Sequence, residues 1–271
     1  MVHGALVVLK LLLSKFGFSF RGPTFVDENE AISRVLTTLT SSEVAQVMID
    51  VGAHHGVCSI PFLKAGWRVV PFEPSLANYK ICKKRLKRWD VQIDPRALSE
   101  KGDSGVAFYE SSVSSGISGL TKFDPSHTTT YSVEVTTLES ALTNYSIDRI
   151  GYLKIDTEGN DLNVLKGLNL DHIDGPMAIL AEFEDAKTEK YGYVTTDLIS
   201  FLKTNDYFVA ASLWEPILKY GDLHRWNRVA FDLDSEDFRN AWGNIIAAKS
   251  EKVLKEICDE VASQSMKEEF S

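Results

Sequence analysis

Past residue 40 the chain alternates short apolar runs with segments of helical period, the pattern of an α/β protein on a largely parallel sheet. The runs Val44–Val51, Trp67–Phe72, Val91–Leu98, Ile150–Ile155, Met177–Phe183, Tyr207–Leu213 and Arg228–Leu233 predict seven strands. Between them, Leu76, Tyr79, Cys82 and Leu86 recur at helical spacing behind Ser75, a good N-cap residue. A second helix is predicted behind Asn160, with Leu162, Leu165 and Leu168 inward and Gly167 near its end. A third follows Thr195–Thr196 and carries Leu198, Ile199 and Leu202.

Two stretches break this rhythm. Residues 102–136 are rich in Ser, Thr and Gly, with short β-like pieces at Phe108–Tyr109 and Val133–Val135. They predict a hairpin or loop inserted over the sheet edge, a common place for substrate-facing segments. Residues 235–271 predict a terminal helix, with Val253, Leu254, Ile257 and Val261 on one face and an acidic tail. The chain thus divides into a lead-in over 1–40, a body over 41–234 and a tail over 235–271.

In the lead-in, Gly4–Leu13 is apolar except for Lys10, too short and interrupted for a spanning helix. A signal peptide is not expected either, because no basic region precedes the run and no A-x-A site follows it. On a helix, His3, Lys10, Ser14, Gly17 and Arg21 fall near one stripe, and no acid occurs before Asp27. Residues 1–21 either pack on the body or on a second subunit of a homo-oligomer, or lie as a peripheral helix in a membrane interface.

Composition narrows the partners. Lys and Arg total 29 against 38 Asp and Glu among 271 residues, a net charge of −9 that disfavours nucleic acid phosphates. Cys58, Cys82 and Cys258 are too dispersed for a zinc site or a disulfide framework, so a cytoplasmic setting with reduced thiols is expected.

Candidate chemistry begins at Val47–Gly56, where an apolar strand runs into Asp50 and then a turn bracketed by Gly52 and Gly56. Glycine lets backbone approach a ligand, and a following helix offers free N–H groups. Glu73 closes the next strand, the place where an acid takes the hydroxyls of a nucleotide ribose. A dinucleotide site calls for G-x-G-x-x-G, whereas the pattern here is D-x-G-x-x-x-G. A carboxylate at Asp50 repels a pyrophosphate but suits a ligand with ammonium or sulfonium charge, as in S-adenosylmethionine.

The second cluster is Lys154-Ile-Asp156-Thr-Glu158-Gly159-Asn160, at the end of the fourth predicted strand. Alternation places Lys154, Asp156 and Glu158 on one rim until Gly159 turns the chain. They suit either the holding and deprotonation of a substrate hydroxyl, or an ion pair with a helix-start acid.

Together these motifs resemble the FkbM-type family of S-adenosylmethionine-dependent methyltransferases, over roughly residues 45–232. The resemblance rests on Lys154–Gly159 with Leu165–Gly167, on Asp50–Ala53, on Phe72-Glu73-Pro74 and on Ala97-Leu98-Ser99. His54 stands where the family often has Asn. The resemblance implies a Rossmann-like class I methyltransferase fold, a seven-stranded mostly parallel sheet with helices on both faces and a final reversed strand. It also implies methyl transfer to a hydroxyl of a sugar, lipid or small metabolite. On that reading Asp50 and the turn of Gly52, Ala53, His54 and Gly56 hold the methionine end. Glu73 holds the ribose, Asp94 to Ala97 border the adenine, and Asp156 lies nearest the methyl group as cofactor contact or base. Glu158 and His55 are further candidates for proton removal. The rival readings are a dinucleotide-dependent oxidoreductase and a catalytically silent methyltransferase-like scaffold.

Three other features stand beside the motifs. Glu182 and Glu184 share a strand face and, with Asp156 and Glu158, offer oxygens that Mg²⁺ accepts, yet nothing in the spacing enforces a metal and none is expected. Lys80, Lys83, Lys84, Arg85, Lys87 and Arg88 form a basic run that is either a solvated face or a phosphate contact. Trp214, Tyr220 and Trp226 suit either stacking on a sugar or packing at the sheet edge.

Overall fold

The computed structural model of the chain describes residues 26–169, 175–216 and 224–268. The expected helix over residues 1–21 lies outside them, as does Tyr220. No described helix is long and apolar enough to cross a membrane.

Five strands share one direction: β1 (Val47–Val51), β2 (Arg68–Phe72), β6 (Tyr152–Ile155), β7 (Ala178–Glu184) and β8 (Phe208–Trp214). Two run against them, β9 (Trp226–Ala230) and β10 (Trp242–Ala248), giving the order β2-β1-β6-β7-β10-β8-β9. A smaller sheet, ordered β3-β5-β4, is formed by β3 (Ala97–Leu98), β4 (Asp103–Ser111) and β5 (His127–Thr136). It is the insertion expected over 102–136.

Strand alternation sends Ile49 and Val51 to one face and Met48 to the other, so each face needs its own cover. The first face packs on α4 (Leu138–Asn144), α5 (Asp161–Lys166) and α7 (Thr195–Thr204), through side chains such as Leu142, Leu165 and Leu198. The second packs on α1 (Glu28–Leu36), α2 (Ser59–Lys64), α3 (Leu76–Leu86) and α8 (Glu251–Glu268), through Ile32, Phe62, Leu86 and Ile257. A short α6 (Asp185–Thr188) follows β7 directly. The buried Glu28 fastens α1 by accepting from Ser212 Oγ and Trp214 Nε1, each at 2.8 Å.

Four expectations are corrected. Residues 235–271 are not helical throughout, because β10 lies between β7 and β8 as the reversed strand and α8 starts only at Glu251. The run Val91–Leu98 is no strand of the main sheet. It makes one parallel bridge, Phe72 to Asp94, before β3 pairs with β5. Leu76 is 52% exposed and Asn78 takes an inward place on α3, because Ser75 caps the helix through Asn78 N and turns that side inward. Asn160 sits at the N-cap of α5 but makes no side-chain cap; its Nδ2 donates to Leu98 O at 2.9 Å instead.

Candidate active site

The turn after β1 is shaped by what lies behind it. Gly52 has φ +73°, and a Cβ there would stand 1.9 Å from the carbonyl oxygen of Asp156, so no side chain fits. Gly52 N and Ala53 N both donate to Phe72 O, at 3.0 and 2.9 Å. Gly56, also at φ +73°, backs onto Cys82, where a Cβ would meet Sγ at 2.7 Å. The turn therefore presents backbone to a cavity of about 300 Å³ at the carboxyl ends of the parallel strands.

Gly52, His54 and Glu73 line that cavity, while Ala53 and Gly56 support the turn from behind. Glu73 Oε2 accepts from His54 N at 2.6 Å and Oε1 from Ser75 N at 2.8 Å. Each oxygen keeps a lone pair for a further donor. Burial pushes the Glu73 carboxyl up to about 8, against the pull of those two N–H groups. Asp50 does not reach the cavity. It is fully buried, accepts from Ser59 Oγ at 2.7 Å and stands 3.5 Å from Lys154 Nζ.

The histidines separate in role. His54 lines the cavity, with Nε2 2.9 Å from Ser115 Oγ, and burial together with neighbouring His55 lowers its pKa to about 3. It is neutral at physiological pH. His55 is stacked behind it, with ring centroids 3.7 Å apart, and does not line the cavity. Its pKa is lowered by burial and then by Arg85, whose guanidinium donates to the His55 carbonyl.

Arg96, Ala97 and Leu98 form the wall where an adenine is expected. Asp94 turns from the cavity to grip Arg96 through Nε at 2.9 Å and Nη2 at 2.6 Å, and accepts from Tyr145 Oη. Burial raises its pKa, but the Arg96 contacts outweigh it and leave the carboxyl below its usual range. The inserted hairpin covers the cavity with Ser115, Gly116 and Ser118 to Leu120. Asn78 Nδ2 fastens this cover by donating to Ser115 O at 3.1 Å.

The other end of the cavity is acidic. Asp156, 43% exposed in its side chain, takes Lys154 Nζ at 3.3 Å. Glu158 is turned away from Lys154 by a left-handed backbone (φ +58°), and its carboxylate meets Lys187 Nζ at 2.7 Å. Lys187 also stands 3.4 Å from Glu182 and 2.9 Å from Glu184. Burial raises the pKa of Glu158 and of Glu182, opposed in both by Lys187. The oxygens of Asp156, Glu158 and Glu182 lie within 4.8 Å of one another, but the ammonium of Lys187 already serves two of them. Lys187 has no motif around it and becomes visible only once these acids converge.

Of the two readings offered for the aromatic residues, packing at the sheet edge is the one found for Trp214 and Trp226, and other rings form the cavity wall. Trp242 and His224 line the cavity edge-to-face, 4.9 Å apart. Trp214 and Trp226 point their Nε1 donors to Glu28 and Ser212 instead.

A sequence model of the methyltransferase FkbM domain matches residues 50–209. The chain belongs to the FkbM methyltransferase family. No curated protein matches it by sequence. Among solved structures, it is similar to the O-methyltransferase from Bacillus cereus in complex with SAH, at 9% identity over 89% of each chain with a TM-score of 0.46. It is also similar to the precorrin-6y C5,15-methyltransferase from Geobacter metallireducens, at 14% identity over 82% of this chain and 87% of that one, with a TM-score of 0.43. This FkbM chain is thus a methyltransferase by family, for which S-adenosylmethionine is the cofactor expected from the sequence. Its residues fit that cofactor: the turn at Gly52 leaves no room for a side chain, and Glu73 keeps free acceptor capacity in the cavity wall.

Proposed function

We propose that this FkbM methyltransferase transfers the methyl group to a hydroxyl oxygen of a sugar, lipid or small metabolite. The observation that carries the reading is the place of Asp156, which lines the cavity with its carbonyl against Gly52 and its carboxylate within 4.8 Å of those of Glu158 and Glu182. The cofactor supplies an electrophilic methyl on a sulfonium. Glu73 would accept from the ribose hydroxyls, and Ala97 and Leu98 would flank the adenine. Neutral His54 adds no positive charge beside a cationic ligand. Asp156 would hold the acceptor hydroxyl and take its proton as the methyl carbon leaves sulfur for the oxygen, with the cofactor's thioether as leaving group, while Lys154 fixes the carboxylate. Trp242 offers an apolar face to the acceptor, and the cover at Ser115 to Leu120 limits water.

The test is a screen with methyl-labelled cofactor across sugars, lipids and small phenols. Label on a hydroxyl oxygen supports the reading. Cofactor binding with no transfer to any class would favour the silent scaffold.

A further inference from the structure

We propose that the outer face of α3 is a docking surface for an anionic lipid bilayer. Lys80, Lys83 and Lys84 share one stripe of α3, Lys87 is its C-cap residue and Arg88 follows in the turn after it, and all five are exposed. In a chain of net charge −9, no ion pair among the described residues involves any of them. The charge is instead collected on one face. In line with it at the start of the helix stands Leu76, 52% exposed, with Ala77 beside it. At the far end Arg88 lies over the ring of half-buried Trp89, 3.9 Å from its centroid. Basic side chains flanked by an exposed aliphatic and an indole are the chemistry of a bilayer interface, where lysine stems lie along apolar surface and the ammonium groups meet headgroups.

Charge geometry favours a bilayer over nucleic acid. The stripe spans about 12 Å at the rise of an α-helix. Fields in physiological salt fade over about 8 Å, so a flat surface feels the stripe and little of the acidic remainder. A longer polyanion would run off the stripe onto that remainder. The orientation also has a consequence for access. Ser75 and Asn78, at the start of α3, adjoin Glu73 and the cover of the cavity, so docking brings the cavity mouth to headgroup level. The inference rests on the surface and stands independently of the acceptor.

The experiment is co-sedimentation of the full chain with phosphatidylcholine vesicles, with and without about 30% phosphatidylserine. It is repeated on the variant Lys80→Gln, Lys83→Gln, Lys84→Gln, Lys87→Gln and on the same four positions changed to Arg. Residues 1–25 are present in every protein, so their contribution cancels. The expected result is binding that needs phosphatidylserine, weakens with salt, falls about tenfold or more in the Gln variant and persists in the Arg variant. Unchanged melting temperature and cofactor affinity in the Gln variant show that it is folded. Equal binding by wild type and Gln variant overturns the proposal, as does indifference to phosphatidylserine. Tighter stripe-dependent binding to an RNA or DNA duplex than to vesicles overturns it as well.

Discussion

The ammonium of Lys154 donates to the carbonyl oxygen of Gly52 at 2.7 Å, tying β6 to the turn after β1. Lys154 is the register partner of Asp50 on the neighbouring parallel strand, and its charge also faces Asp156. Burial works against the ammonium, but Asp156 and Asp50 hold its pKa above the ordinary lysine value. One buried cation thus serves the base of the turn, its carbonyl and the exposed acid of the cavity.

Lys154→Met should therefore be severe. It leaves Asp50, fully buried, with Ser59 as its only partner among the described residues, and removing one member of a buried pair costs about 3–5 kcal/mol. Denaturant unfolding would measure the loss. A cost no larger than an exposed pair's, below about 1 kcal/mol, would show that Lys154 is not what neutralises Asp50.

Glu73→Ala should weaken cofactor binding by about 1.5–3 kcal/mol with the fold retained, since a charge-assisted contact to the ribose is lost. Protons give a second reading of the same group. Because burial raises Glu73 to about 8, much of it is protonated at neutral pH in the free chain. Ribose hydroxyls favour the carboxylate, so binding near pH 7 should release a proton and affinity should rise towards pH 8. Calorimetry in two buffers of different ionisation enthalpy counts that proton. If the heat is the same in both, Glu73 does not change charge on binding.

Lys187→Met should destabilise in a pH-dependent way. Glu158 and Glu182 are raised by burial, so their contribution to stability is present at low pH and lost as pH rises through their folded values. Lys187 limits that loss by facing both carboxylates and Glu184. Without it the two acids shift up further and stay protonated over a wider range. Urea unfolding should show a small cost near pH 5 and one approaching about 3–5 kcal/mol above pH 8. An equal cost at both would mean that Lys187 acts by packing.

Much of this was legible in the sequence, for identifiable reasons. The strands that lead to Asp50, Glu73 and Asp156, two of them inside the sheet and β2 at its edge, are buried along nearly their whole length and so appear as apolar runs. Gly52 is imposed by a close backbone contact and Gly56 by the Cys82 and Leu86 side chains behind it, and such contacts leave a residue-type signature. β10 left none, because Trp-Gly-Asn-Ile-Ile-Ala-Ala is a short run that periodicity cannot tell from a helix segment. Its partners β7 and β8 come earlier in the chain, so no local turn marks the pairing. With β10 misread, Trp242 was lost from the cavity. Asp94 differs: the resemblance places it beside the adenine, but Arg96 two residues on captures the carboxylate.

Asp156→Asn should reduce turnover more than cofactor retention. The side chain is the exposed member of the Lys154 group, and the residue lines the cavity with its carboxylate within 4.8 Å of those of Glu158 and Glu182. Asparagine keeps its shape and its capacity to accept a hydrogen bond, but removes basicity and negative charge. Loss of a general base costs about 10²–10⁴-fold in rate. Were Asp156 only a cofactor contact, the variant would bind weakly yet regain full turnover at saturating S-adenosylmethionine. Glu158 provides the control, because its carboxylate is committed to Lys187 and its change to Gln would disturb that pair first. Cofactor affinity and turnover at saturation, measured on both variants with the acceptor found by the screen, separate these roles. A normal rate at saturation in Asp156→Asn, with a slow Glu158→Gln, would move the base to Glu158.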